Sequence, residues 1–427
     1  MLNIKSKNKY GVNLVAAYPR EYSYIKPIID YLQKEKIPIS FYLDKSVINS
    51  QLLKITKRDN IFEINRFNSK HNFREFVYKI LRKINWVLFK SFIKIPRINF
   101  MISKSMSLFF DNPLKYKTTL TITKHKYPWL LSSRNNYIIT FPGSWDHYFK
   151  YYLGYYSDVY FGWSAKMNSH WQNYQGCSLS KLSFPYIFDY VADIDKENIF
   201  ENKFKKFNTN KKRLKILYPL ATCLEFGESI YKSELYLVNI IKKALSDFDV
   251  DFLVKAKPNT SKSELDELNS MFKLSEVKEP LKHIDSFSKE YNLQRRELLG
   301  NVDSVINFGT TFAIDSAIAN LPIMQLDLRN YLNKDIFNLS ILQNKFKPLE
   351  DYLLSEKDLI YPIYSDDDIY KSVNHYVKDL SILNIESKAF QFSKYLRESF
   401  TGTNYLSSKE RLTRVNNFLY FIKDIIN

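Results

Sequence analysis

The chain alternates between two hydrophobic periods, and the alternation predicts an α/β protein. Residues 12–17 (VNLVAA) form a short apolar run with strand composition, and a loop carrying Pro19, Arg20 and Glu21 follows. Apolar positions then recur at helical spacing from Ile25 to Lys34, and Ile37 to Leu43 reads as a second strand. This strand–helix–strand opening is typical of a doubly wound sheet. Further strands are expected at 136–141 and 158–163, and a helix at 167–174. Before them, Phe73, Phe76, Val77, Ile80, Leu81, Ile84, Val87 and Leu88 follow i, i+3, i+4 spacing, which predicts an amphipathic helix. Residues 191–212 break the pattern: they are polar, charged and nearly devoid of Gly and Pro. The pattern restarts with a strand at 214–218, a loop at 219–229, a helix at 231–245, a strand at 251–255 and a helix at 262–271. A helix ends at 298–300. Residues 302–328 (VDSVINFGTTFAIDSAIANLPIMQLDL) then give a strand at 302–308, a turn at Gly309, Thr310 and Thr311, a helix at 312–319 and a strand at 322–328. No unit repeats with a period of 20–50 residues.

At 427 residues the chain is too long for one ordinary core. The pattern divides it into a first domain at 1–190, a linker at 191–212, a second domain at 213–400 and a terminal helical segment at 401–427. Two α/β halves with ligand-type loops at the carboxyl ends of their strands imply a central cleft. The hydrophobic share of 45% supports buried cores, and 9 Gly with 14 Pro excludes a fibrous or low-complexity protein. The two cysteines, Cys177 and Cys223, lie 46 positions apart, which argues against a disulfide framework or a zinc site and fits a reducing compartment. None of the six histidines stands in an HxH or HExxH spacing, so no metal site and no cofactor are expected. The apolar part of the amino-terminal segment is too short for a signal-peptide core. No window approaches the roughly 20 apolar residues of a spanning helix. The expected location is cytoplasmic, or peripheral at the inner face of the plasma membrane.

Charge changes this picture in one place. The net charge is +18, and the stretch from Lys79 to Arg134 holds twelve basic residues against the single acid Asp111, interleaved with Trp86 and several phenylalanines. Three readings stand: a solvated basic face over a core helix, a patch for an anionic membrane surface or lipid-linked acceptor, and a nucleic-acid surface. The last lacks any accompanying signature, and no nucleic-acid partner is expected.

The turn Gly309-Thr310-Thr311 carries the most chemistry. It offers two hydroxyls, and the N–H groups opening the next helix lack internal partners, which suits a phosphate. An ordinary βα loop with a Thr cap would look the same. Lys255 and Lys257 stand at a strand end and alternate faces, so at most one should enter a cleft. Asp315, one helical turn past Thr311, could brace that loop or touch a ribose hydroxyl. On the first half, Glu21 opens a helix, where the dipole favours an acid, or serves as a base. Asp146 and His147 follow Gly143-Ser144-Trp145 at another strand end and form a second candidate base pair. Trp145 could stack on a sugar or fill the core. Glu225 and Glu228 are candidate partners for sugar hydroxyls.

The segments KILYPLATCLEFGES, DFLVKAKPN and DSVINFGTTFAIDSAIANLPI, in that order, resemble the donor-binding half of bacterial GT-B glycosyltransferases of surface-polysaccharide (capsule or lipopolysaccharide) assembly. They are also similar to the CDP-glycerol glycerophosphotransferases of teichoic-acid synthesis. Thr310, Thr311, Asp315, Pro322 and Ile323 occupy the pattern that those families show. Residues 402–420 resemble the terminal helix by which such enzymes pack back toward the first domain, and the Ser-Trp-Asp segment with Trp163, Met167 and Trp171 resembles capsule transferases. Lys257-Pro258-Asn259 departs from the usual basic, Pro and His combination, and a Gly-rich first loop is missing, which leaves the donor open.

The resemblance implies two Rossmann-like domains facing a cleft and a metal-independent transfer from a nucleotide-sugar to a glycan or lipid-linked glycan. It implies Lys255, Lys257, Gly309, Thr310, Thr311 and Asp315 on the donor side, Glu21, Asp146 and His147 as catalytic candidates, and Arg20, Trp145, Glu225 and Glu228 as sugar or acceptor contacts. Glycerophosphate transfer, a non-catalytic glycolipid-binding relative and a sugar-nucleotide epimerase are the alternatives.

Overall fold

The computed structural model describes residues 10–49, 60–64, 76, 80, 83, 114–122, 128–131, 136–141, 157–162, 164, 168, 177–181, 213–257, 260–274, 289–345, 352–401 and 408–426. The chain forms two compact units, Met1–Phe188 with Leu412–Asn427, and Asp189–Arg411.

The first unit is built on a seven-stranded sheet of β1 (Val12–Ala16), β2 (Ile39–Leu43), β3 (Ile61–Glu63), β4 (Thr118–Ile122), β5 (Tyr137–Phe141), β6 (Ser157–Phe161) and β7 (Cys177–Lys181). The spatial order is β3-β2-β1-β4-β5-β6-β7, with every pair parallel. Strands β1 and β2 are buried at every position, as strands covered on both faces must be. Asn13 interrupts the apolar run of β1 for a reason. Its amide donates to Tyr116 O and Thr119 Oγ1 and accepts from Tyr116 N–H, joining β1 to the entry of β4. Helix α1 (Pro19–Lys34) starts ahead of the apolar period because Pro at N1 and Glu21 at N3 set its first turn. Its buried stripe is Ile25, Ile28, Ile29 and Leu32. Strand β4 was not expected: three of its five residues are Thr, and the run reads as polar although every position is buried.

The second unit is built on a six-stranded sheet of β8 (Leu214–Pro219), β9 (Val250–Lys255), β10 (Lys273–Leu274), β11 (Ser304–Asn307), β12 (Ile323–Asp327) and β13 (Tyr361–Pro362). Its order is β10-β9-β8-β11-β12-β13, again parallel throughout. The helices are α2 (Glu228–Leu245), α3 (Lys262–Met271), α4 (Lys289–Asn301), α5 (Phe312–Ile318), α6 (Phe337–Lys345), α7 (Asp366–Ser381) and α8 (Lys388–Thr401). Tyr231, Val238 and Ile241 of α2 and Ile369, Val373 and Tyr376 of α7 share one core with β8 and β12.

Counted within its own unit, each sheet has the order 3-2-1-4-5-6, with a seventh strand added to the first. This is the Rossmann order, whose switch point lies between the first and fourth strands. The expected α/β class is therefore observed, twice. From Leu412 onward the last helix, α9 (Ser408–Ile426), belongs to the first unit, as expected of a segment returning to the first half. Phe418 sets its ring edge-on to Phe141 and Phe161, at 6.0 and 4.6 Å, and Lys423 pairs with Glu35 at 2.9 Å. The linker at 191–212 and, apart from Asn168, the helix expected at 167–174 lie outside the described residues. Among the described residues no helix is long and apolar enough to cross a membrane.

Candidate functional site

In the second sheet the switch point falls between β8 and β11. Three segments converge on its carboxyl edge: the loop after β8, the end of β9 and the turn after β11.

The loop after β8 is fixed by two buried carboxylates. Glu234, completely buried on α2, accepts from Ala221 N–H (2.8 Å), Thr222 N–H (2.7 Å), the Thr222 hydroxyl and the Tyr218 hydroxyl (3.2 Å). Burial still pushes its carboxyl above the usual range, against the lowering effect of the Ala221 and Thr222 hydrogen bonds and of Lys257. Glu264 accepts from Leu224 N–H at 2.7 Å and closes the capping box at Ser261. Burial raises its carboxyl, but the hydrogen bonds from Ser261 and Leu224 outweigh that and hold it below the usual range.

The two lysines do not divide between faces as strand alternation suggested. Strand β9 ends at Lys255, so Lys257 lies beyond the pleat. Lys255 is 5% exposed; its ammonium donates to Ala256 O at 3.1 Å and stands 5.6 Å from the centroid of Phe312, the first residue of α5. Lys257 donates to Ala221 O and lies 3.9 Å above the Phe226 ring. Each therefore reaches a different loop of the same edge.

The turn after β11 is held from below by buried amides. Asn307 accepts from Thr310 N–H (3.2 Å) and the Thr310 hydroxyl (2.8 Å) and donates to Gln325 at 2.6 Å. Gln325 and Gln343 both donate to Phe308 O. The hydrogen-bond donors of Thr310 thus face inward, and only its oxygen remains to accept. Gly309 and Thr311 are half-buried in the same turn. Asp315 is turned away to Arg295, an ion pair at 3.0 Å with side chains 7% and 14% exposed, which braces α5 against α4.

Glu225 is exposed in the 3-10 turn Leu224–Phe226, and Glu228 is an exposed first-turn acid of α2 whose carboxyl Lys232 holds below its usual range. On the first unit, Glu21 is 4% exposed; its Oε2 accepts from Ala17 N–H at 2.6 Å and Tyr18 N–H at 3.2 Å. Arg20 lies in α1, its side chain outside the description, and Trp145, Asp146 and His147 lie outside the described residues. Of the amphipathic helix expected over 73–88, Phe76, Ile80 and Lys83 are described as helical; Phe76 is 60% and Ile80 43% exposed.

Sequence reading missed Glu234, Glu264, Arg295, Asn307, Gln325 and Gln343. Only Glu264 had a local signal, the Ser261-x-x-Glu264 capping box. Glu234, Arg295, Gln325 and Gln343 depend on partners far along the chain, and Asn307 joins Thr310, three positions on, to the distant Gln325.

The fold defines an α/β protein with two Rossmann-like units of the kind found in GT-B proteins. Among solved structures, the wall teichoic acid polymerase TagF matches over 98% of this chain and 90% of that one, with a TM-score of 0.51 and 11% identity. A TagF variant soaked with CDPG matches over 99% and 91%, with a TM-score of 0.50 and 11% identity. At this identity the likeness concerns the fold. No protein-family model matches the chain, and no curated protein matches it significantly.

Proposed function

We propose that the chain is a GT-B transferase that binds an activated nucleotide donor at the carboxyl edge of its second sheet and passes the carried sugar to a growing cell-surface glycan. The observation that carries this reading is Lys255. Its ammonium is buried at the sheet edge, where it donates to Ala256 O. It is kept at the carboxyl end of β9, 5.6 Å from the ring centroid of Phe312, the residue that follows the Thr310–Thr311 turn. A leaving nucleoside phosphate develops negative charge that must be neutralised, and a cation held in a low-dielectric crevice does so without reorganisation. Lys255 and Thr311 are assigned to the phosphates, Gly309 and Thr310 to shaping the turn, and Asp315 to bracing it. Lys257 shapes the neighbouring loop.

The base that deprotonates the acceptor is assigned to Asp146 and His147 on their sequence position, with the Glu21 carboxylate as helix cap. Trp145, Arg20, Glu225 and Glu228 are proposed sugar or acceptor contacts. The CDPG-soaked TagF makes a CDP-linked donor, and hence glycerophosphate transfer, the first alternative to try. The basic stretch, with exposed Ile80 in it and exposed Phe76 just before it, supports attachment to an anionic membrane surface, where a lipid-linked acceptor would lie.

Titration calorimetry with CMP, CDP, UDP and GDP tests the donor site. One of them should bind, and the absence of binding by all four at millimolar concentration would end the proposal. With the identified donor, His147→Ala should lower kcat by roughly two to four orders of magnitude. Turnover of the donor without any acceptor would instead mark an epimerase.

A further inference from the structure

The loop after β8 presents two large apolar side chains to solvent, although its backbone is among the most firmly anchored at this edge. Leu224 is 43% and Phe226 46% exposed. Leu224 N–H is held by Glu264 at 2.7 Å, and Phe226 N–H donates to Cys223 O at 2.9 Å. Just upstream, Glu234 takes the Ala221 and Thr222 amides. A scattered exposed aromatic needs no explanation. Phe226 differs because its orientation is fixed from behind. The Lys257 ammonium sits 3.9 Å from the ring centroid and is itself tied to Ala221 O. A cation on one face draws electron density from the ring and makes the opposite face a better partner for an electron-rich planar group. The ring also stands at the carboxyl end of the first strand of its sheet, next to the strand that carries the Thr310–Thr311 turn.

We infer that Phe226, backed by Lys257, is the stacking platform for the nucleobase of the donor. This rests on the donor site proposed above and adds to it a base-positioning residue, separate from the residues assigned to the phosphates. Stacking on an aromatic side chain is tolerant of base identity. The platform therefore fixes where the base lies and leaves the choice among bases to polar contacts.

The test uses the full chain and compares ligands with and without a base. Phe226 is half in solvent, so Phe226→Ala should fold with an unchanged melting temperature. It should weaken binding of the nucleotide that the wild type prefers by about tenfold, in line with typical base–aromatic stacking, and leave inorganic pyrophosphate binding unchanged. Phe226→Trp should keep nucleotide affinity, with its indole fluorescence quenched on binding. Lys255→Met should weaken both ligands. If the wild type binds the nucleotide and Phe226→Ala binds it equally well, or loses pyrophosphate to the same extent, the platform is refuted and the donor site stands. If the wild type binds no nucleotide, the donor site falls, and the platform with it.

Discussion

The two sheets share one strand order and differ in what their switch points do with polar groups. In the first unit the described polar atoms at the carboxyl edge of β1 serve the backbone. Glu21 binds the Ala17 and Tyr18 amides, and the Ser46 hydroxyl donates to Ala17 O. In the second unit buried carboxylates and amides hold the loops from behind, and that support leaves a buried ammonium, a hydroxyl turn and an exposed aromatic at the edge. The same topology therefore yields a capped helix start in one half and, in the other, an edge that carries the side chains to which the donor site is assigned. Function resides in the grafted side chains rather than in the fold.

If this division is right, Asp315 belongs to the support. Asp315→Asn would leave Arg295 as a buried charge without its ion pair, and breaking such a pair costs about 3 kcal/mol. Hydrogen exchange should report loosening of α4 and α5, with nucleotide affinity of the folded protein within about twofold of wild type. A large loss of affinity at unchanged stability would move Asp315 into the site.

Lys255→Met is the converse. Methionine fills a similar volume without the desolvation cost of a charge, so stability should hold or rise. Removing a charge-assisted contact of about 1.5–3 kcal/mol should weaken nucleotide binding roughly tenfold to a hundredfold. Loss of stability with affinity intact would mean that Lys255 is structural, and the contrast between the two edges would disappear.

Much of this architecture was legible locally. Strands β1, β2, β8, β9, β11 and β12 are apolar runs bounded by turn residues, and sequence order placed the Thr310 turn at a strand end. Strand β4 was not legible, because its buried Thr118, Thr119 and Thr121 satisfy their hydroxyls only within the fold, as Thr119 does with Asn136. Helix α7 was readable but not read: Ile369, Val373, Tyr376, Val377 and Leu380 have helical spacing after an N-cap at Ser365. The support of the site was illegible for a different reason. Asn307 meets Gln325 across 18 positions and Glu234 meets Ala221 across 13, and no local pattern marks either pairing.

Glu234 gives the comparison a pH dependence. Burial raises its carboxyl above the ordinary value of 4.5. The native state therefore takes up this proton at higher pH than the unfolded chain does. The stability contributed by this group is fully present near and below 4.5 and is lost as pH rises through the folded value. Glu234→Gln removes the titration. Melting curves between pH 4.5 and 8 should show wild type gaining on the variant as pH falls, and a difference independent of pH would show that Glu234 is not buried as the carboxyl described here.

The smallest expected effect tests the first edge. Glutamine at N3 can accept the same backbone hydrogen bonds as glutamate in a capping box, so Glu21→Gln should leave the melting temperature nearly unchanged. A glutamine cannot serve as a general base, and loss of one typically costs two to four orders of magnitude in kcat. The substitution therefore separates the two roles that the sequence left open. With both oxygen contacts at Ala17 and Tyr18 retained, kcat should stay within about twofold of wild type. If kcat instead falls roughly a hundredfold at unchanged stability, the buried Glu21 carboxylate is the base, and the first edge is as much a chemical site as the second.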